Sequence, residues 1–293
     1  MFLSRHRSIS AVAAGTDLTE PTRHLHHAIQ VVLTVGIIVS AASLTLRLWA
    51  KYHACKKLYI EDLCLSTAWV LCTATQTLIL YALNHAGLGK HIRYLAESTI
   101  NTYEKLFLAA ACLFVTGLCL ARVSHLIFLN RLMTAKKWLR RALLGVTALT
   151  IVGSTTIVCC FVFACRPISK SWNVTLAGKC IDRTAIFIAV AVQNIVSDIL
   201  LIALPAPIIY ELHLPRAEKF RFTILLVLIC ITFVASAIRL RVTVPMLGSI
   251  DLTYEIAPVA LLVGIECSLI ILAANLPALR QCRDEARLSI SYG

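Results

Sequence analysis

Charge is what this chain has least of. Only 15% of its 293 residues are Asp, Glu, Lys or Arg, against 59% hydrophobic. A soluble domain of this length needs more charge to cover its surface, so an aqueous single domain is excluded. The short patterns of common enzymes are missing as well: no dinucleotide glycine fingerprint, no P-loop, no zinc-ligand spacing, no Ser-His-Asp order. No internal repeat marks the inverted halves of a transporter. Residues 1–26 hold no apolar run before a cleavage site, so the first hydrophobic stretch is expected to direct insertion itself.

What the chain does have is hydrophobic length. About 20 apolar residues, rising ~1.5 Å each, cross the ~30 Å hydrocarbon core of a bilayer. Seven stretches reach that length, at about 27–50, 62–84, 106–130, 142–164, 185–209, 222–245 and 256–279. The expected fold is all-α, a seven-transmembrane helix bundle with its first partner the lipid bilayer. A short luminal tail (1–26) would precede the membrane domain (27–282), and a short cytoplasmic tail (283–293) would follow it.

Acidic residues are scarce beside basic ones, giving a net charge of +13. In this setting the excess speaks for topology rather than for nucleic acid. Arg47, Lys51, Lys56 and Lys57, then the basic run Arg131 to Arg141, then Arg216, Lys219 and Arg221 fall on one side with Arg280, Arg283 and Arg287. The opposite side carries fewer, which expects the N-terminus outside and the C-terminus cytoplasmic. The N-x-S/T sequon at Asn173 falls on the expected outer side, as a glycosylation site on a multi-pass protein of the plasma membrane or another secretory-pathway membrane.

Cys165 and Cys180 bracket the same outer loop, where a disulfide persists. Cys112, in the third stretch, is the other partner open to Cys180. Arg47 with Trp49 reads as ordinary interfacial anchoring, and Glu61 with Asp62 as carboxylates at a helix N-terminus. The cluster His24, His26 and His27 reads as solvated rather than as a metal site.

Polar residues inside the stretches carry more information, because each is costly in lipid. Asn194 and Asp198 are four apart and share one helix face, just before Pro205 and Pro207. Arg122 and His125 share a face of the third helix, Arg239 lies in the sixth and Glu266 in the seventh. By helical rise their depths are about 10 Å for Arg239, 17 Å for Glu266, 20 Å for Asp198 and 24 Å for Arg122. Depth therefore pairs Glu266 with Arg239 and Asp198 with Arg122. These pairs either tie helices together or line a polar intramembrane site.

Ordered motifs along the chain resemble the fungal rhodopsin-domain family of integral membrane proteins, of the satratoxin-cluster type, over residues 27–282. They are RLWAKY with Glu61-Asp62, HAGLGKH, the CRP…W…G.C loop, NIVSDILLIALPAP with HLPRAEK, ASAIRL, and DLTYEIA…GIE…LPALR. The family usually has a second Asp and a Trp where this chain has Asp62-Leu63, and Lys where Arg122 stands. The resemblance implies a seven-helix, receptor-like protein of a kind found in host sensing and in secondary-metabolite gene clusters.

Retinal chemistry is excluded despite that family's name, since no helix core holds the lysine a Schiff base needs. Paired haem ligation is excluded too, with His125 the one membrane-centred histidine. No cofactor and no metal are expected. The reading that remains is a receptor-like or accessory membrane protein of a fungal secondary-metabolite pathway, with a lipophilic small molecule as ligand. The alternative is an embedded cyclase or isomerase using Asp198 or Glu266 as general acid.

Overall fold

Backbone groups in hydrocarbon must be satisfied within the segment itself, and helices do this. The computed structural model describes residues 20–55, 59–89, 96–132, 137–173, 175–204, 216–246 and 252–292. Among them, seven helices are long and apolar enough to cross a membrane. They are α1 (Glu20–Ala50), α2 (Ile60–His85), α3 (Glu97–Leu132), α4 (Lys137–Val162), α5 (Arg183–Ala203), α6 (Arg216–Thr243) and α7 (Leu252–Tyr292).

Several helices outrun their hydrophobic stretches. α1 begins at Glu20, inside the segment expected to be a tail, and α7 continues through residues 283–292 without a break. Hydropathy marks where a helix enters lipid, not where its hydrogen bonding stops. Pro205 and Pro207 lie outside the described residues, as do residues 1–19.

α1 passes through a π-helical turn, Lys51–Cys55, on the way to α2. α2 stops where Gly87 takes a left-handed φ of 75°, with the Ala86 and Leu88 amides both donating to the Ala82 carbonyl. After α4 the chain forms two short antiparallel strands, β1 (Cys165–Arg166) and β2 (Lys179–Cys180), with Cys165 opposite Cys180. These two cysteines are disulfide-bonded, and Cys112 is a free, half-buried thiol of α3. In the same loop the Thr175 hydroxyl donates to the Asn173 side-chain oxygen at 2.9 Å. The hairpin marks one end of the bundle, and the α1–α2 turn lies at the other.

Apolar side chains cover the outside of the bundle, and its interior holds charged groups among an apolar core. Val35, Ile38, Val70, Val152, Ile199 and Val234 point outward, while Arg47, Glu61, Asp62, Arg122, Asp198, Arg239 and Glu266 are buried. Outward-facing threonines such as Thr45, Thr67 and Thr155 return their hydroxyls to carbonyls of their own helix. Small residues set the closest helix approaches, as expected where van der Waals contact drives packing. A side chain on Gly264 of α7 would run into Leu33 of α1, and one on Gly117 of α3 would press on Cys72 of α2.

Candidate functional site

The centre of the bundle is a polar knot built by four helices. α3 supplies Arg122, α5 supplies Asn194 and Asp198, α6 supplies Ser236 and Arg239, and α7 supplies Glu266; all six are buried. Arg122 donates from Nε (3.3 Å) and Nη2 (3.1 Å) to Asp198 Oδ1, and from Nη1 to Asn194 Oδ1 at 2.7 Å. Asn194 Nδ2 passes the connection on to Glu266 Oε1 at 3.0 Å. The Ser236 hydroxyl lies between the two carboxylates, 3.2 Å from Asp198 Oδ2 and 3.0 Å from Glu266 Oε1. Arg239 Nε stands 3.3 Å from Glu266 Oε2, and Arg122 Nη2 is 3.9 Å from Glu266 Oε1. Both pairings expected from axial depth are present, and Glu266 bridges them.

Arg239 is the member of the knot that reaches a cavity. This space, about 760 Å³ including its open mouth, occupies the hairpin-end half of the bundle. Its wall is apolar, with Leu78, Ile79, Phe107, Ala111, Phe114, Phe187, Val190, Val259 and Ala260 among the lining residues. Phe187 packs against Phe107 (5.1 Å between ring centres) and Phe161 (5.3 Å), giving the wall an aromatic side. The guanidinium of Arg239 lies 5.0 Å from the Phe114 ring centre, a cation–π arrangement that holds it at the cavity edge. Asp198 and Glu266 do not line this space; they lie behind Arg239.

His125 behaves differently from its expected companions. It lies one helical turn along α3 from Arg122 and hydrogen-bonds the backbone of Ala273 in α7. Pro277 explains why that carbonyl is open: proline has no N–H, so the residue four positions earlier receives no intrahelical donor. The neighbouring Ala274 carbonyl accepts from Arg47 Nη1. His125 is thus a clasp on α7 rather than a member of the carboxylate knot.

A second buried ionic cluster, unanticipated from sequence, sits at the end opposite the hairpin. Asp62 Oδ1 accepts from Arg47 Nε (3.0 Å) and Nη2 (2.8 Å), and Lys51 Nζ lies 2.8 Å from both Asp62 oxygens and from Glu61 Oε1. Asp62 Oδ2 also accepts the Tyr59 amide at 3.1 Å, so the expected role at the helix start is real but secondary. Arg47 is only 2% exposed, which corrects its reading as an interfacial anchor; Trp49, 62% exposed, keeps that role. From α3, the half-exposed Arg131 approaches Glu61 at 3.7 Å and covers the Tyr59 ring at 3.4 Å. The available signal was the four-residue spacing of Arg47 and Lys51 facing an acidic pair one turn of chain later.

The fungal rhodopsin domain matches this chain over residues 46–285. Among its relatives, a polyenoic acids biosynthesis gene cluster protein of Metarhizium anisopliae is 27% identical over 205 residues, covering 68% of this chain and 55% of the relative. A SAT4 family membrane protein of Emericella nidulans is 27% identical over 202 residues, covering 66% of this chain and 49% of the relative. This chain therefore spans about half the length of each. No solved structure matches it. The chain belongs to the fungal rhodopsin domain family and is an integral, multi-pass membrane protein.

Proposed function

We propose that this protein is a receptor-like or accessory component of a fungal secondary-metabolite pathway that holds a lipophilic small molecule within its helix bundle. The observation that carries this is the apolar cavity closed at one side by a buried cation. A few fixed polar groups against an apolar wall are the usual composition of small-molecule sites. A relative named for a polyenoic acids biosynthesis gene cluster supports the pathway association. The embedded-enzyme alternative needs a carboxylate touching the ligand, and Asp198 and Glu266 stand outside the lining.

Orientation belongs to the same proposal. With the N-terminus outside, the hairpin and cavity mouth face the lumen or exterior and the Arg47–Asp62 cluster faces the cytosol, in line with the basic bias. Asn173→Gln should remove a glycosidase-sensitive mobility shift seen in the parent; an N-terminal epitope reached only after permeabilisation would reverse the orientation. For the cavity, purified full-length protein should enhance the fluorescence of Nile red saturably. Filling the space with Ala111→Phe or Ala260→Phe should abolish the saturable part while the melting temperature stays near the parent's. Unchanged Nile red binding in both folded variants would refute the cavity as the site. Deleting the gene and profiling metabolites tests the pathway association, which an unaltered profile would remove.

A further inference from the structure

The cavity presents one cationic hydrogen-bond donor, and the charges around that donor restrict what it can hold. Arg239 is 4% exposed, and its Nη2 is buried without an acceptor; Nε is near Glu266 but outside hydrogen-bonding geometry. A guanidinium carries five donors and stays charged, so a buried unsatisfied one has affinity for an incoming oxygen. The lining hydroxyls of Thr75 and Thr243 are already committed to the Leu71 and Arg239 carbonyls. Glu266 cannot turn wholly toward Arg239, because its Oε1 is held by Asn194 and Ser236.

Charge balance decides the class of ligand. Arg122 and Arg239 against Asp198 and Glu266 sum to zero. An incoming carboxylate would leave a net negative charge in a desolvated site, whereas a neutral oxygen would add none. We propose that the cavity takes a lipophilic molecule bearing a neutral oxygen acceptor, of the ketone, aldehyde or ester class, hydrogen-bonded to the guanidinium of Arg239. This rests on the cavity being a ligand site. The aromatic side formed by Phe107, Phe161 and Phe187 receives the apolar body, and Phe114 keeps the guanidinium from swinging away.

Three probes with matched chains separate the possibilities: undecane, 2-undecanone and undecanoate, each titrated against the full-length protein in detergent at neutral pH with thermal unfolding as readout. Ligand binding to the folded state raises the melting temperature by an amount that grows with the logarithm of ligand concentration over Kd. The ketone should bind about tenfold more tightly than the alkane, the discrimination expected of a hydrogen bond to a charged group, and more tightly than the carboxylate. Arg239→Leu combined with Glu266→Gln leaves no unpaired charge behind. It should erase the ketone's advantage while the alkane's stabilisation persists. Equal binding of ketone and alkane by the parent, or a preference for undecanoate, would overturn the inference while leaving the cavity a lipophile site. No stabilisation by any of the three would overturn the cavity reading itself.

Discussion

Replacing Asp198 by alanine probes the knot at its Arg122 end. Arg122, 3% exposed, would lose the acceptor of both Nε and Nη2. Asn194 at 2.7 Å would remain, and Glu266 at 3.9 Å would be the nearest anion, already shared with Arg239. Breaking a buried ion pair from one side costs about 3–5 kcal/mol, because the surviving charge stays buried and uncompensated. The proximity of Glu266 places Asp198→Ala toward the lower end of that range. Adding Arg122→Leu removes the stranded cation and should return part of the loss, since a buried pair exchanged for apolar groups is often nearly neutral. Reversible unfolding of purified protein in bicelles would measure both steps. A single variant within about 1 kcal/mol of the parent would refute the argument, and so would a double variant less stable than the single one. If the double variant folds yet no longer binds its ligand, the pair shapes the site as well as the fold.

At the opposite end, Asp62→Ala deprives both Arg47 and Lys51 of a partner at 2.8 Å and should cost about 3–5 kcal/mol, read by the same unfolding assay. Arg47→Leu, in that background, should recover part of it, since Lys51 keeps Glu61 as its partner at 2.8 Å. Gly264→Val forces a side chain against Leu33 and should separate α1 from α7 at a cost of about 1–3 kcal/mol, with a lower melting temperature. Cys180→Ser opens the loop closed by the Cys165–Cys180 disulfide and should lower stability by about 3 kcal/mol; peptide mapping of the parent should recover the two cysteines in one linked fragment.

The helices were legible because apolar stretches of about 20 residues fit a bilayer as helices, so length and hydropathy suffice. The ion pairs of the knot were legible from one coordinate, axial depth, because Arg122, Asp198, Arg239 and Glu266 lie deep enough that nothing else could compensate them. Arg47 and Lys51 were not legible in that way. A basic residue near a helix end has the same sequence signature whether it snorkels to water or turns inward, and only the position of Asp62 on the adjoining helix decides. Ser236 was hidden by its ordinariness, since serines in membrane helices commonly bond their own backbone. His125 was grouped with Arg122 on one helix face, yet its partner is a carbonyl opened by a proline on another helix. The cavity could not be read at all: it exists where side chains from several helices fail to meet.

The neutrality of the knot also settles how it responds to the voltage across its membrane. An unpaired charge moved through the full field does work of about 2.3 kcal/mol per 100 mV, enough to bias a conformational equilibrium. Arg122 is paired with Asp198 and Arg239 with Glu266, so displacing these two pairs together carries no net charge through the field. Polarising or depolarising the membrane should leave this knot indifferent. A neutral guest preserves that indifference; a charged one would make its occupancy follow the electrical state of the cell.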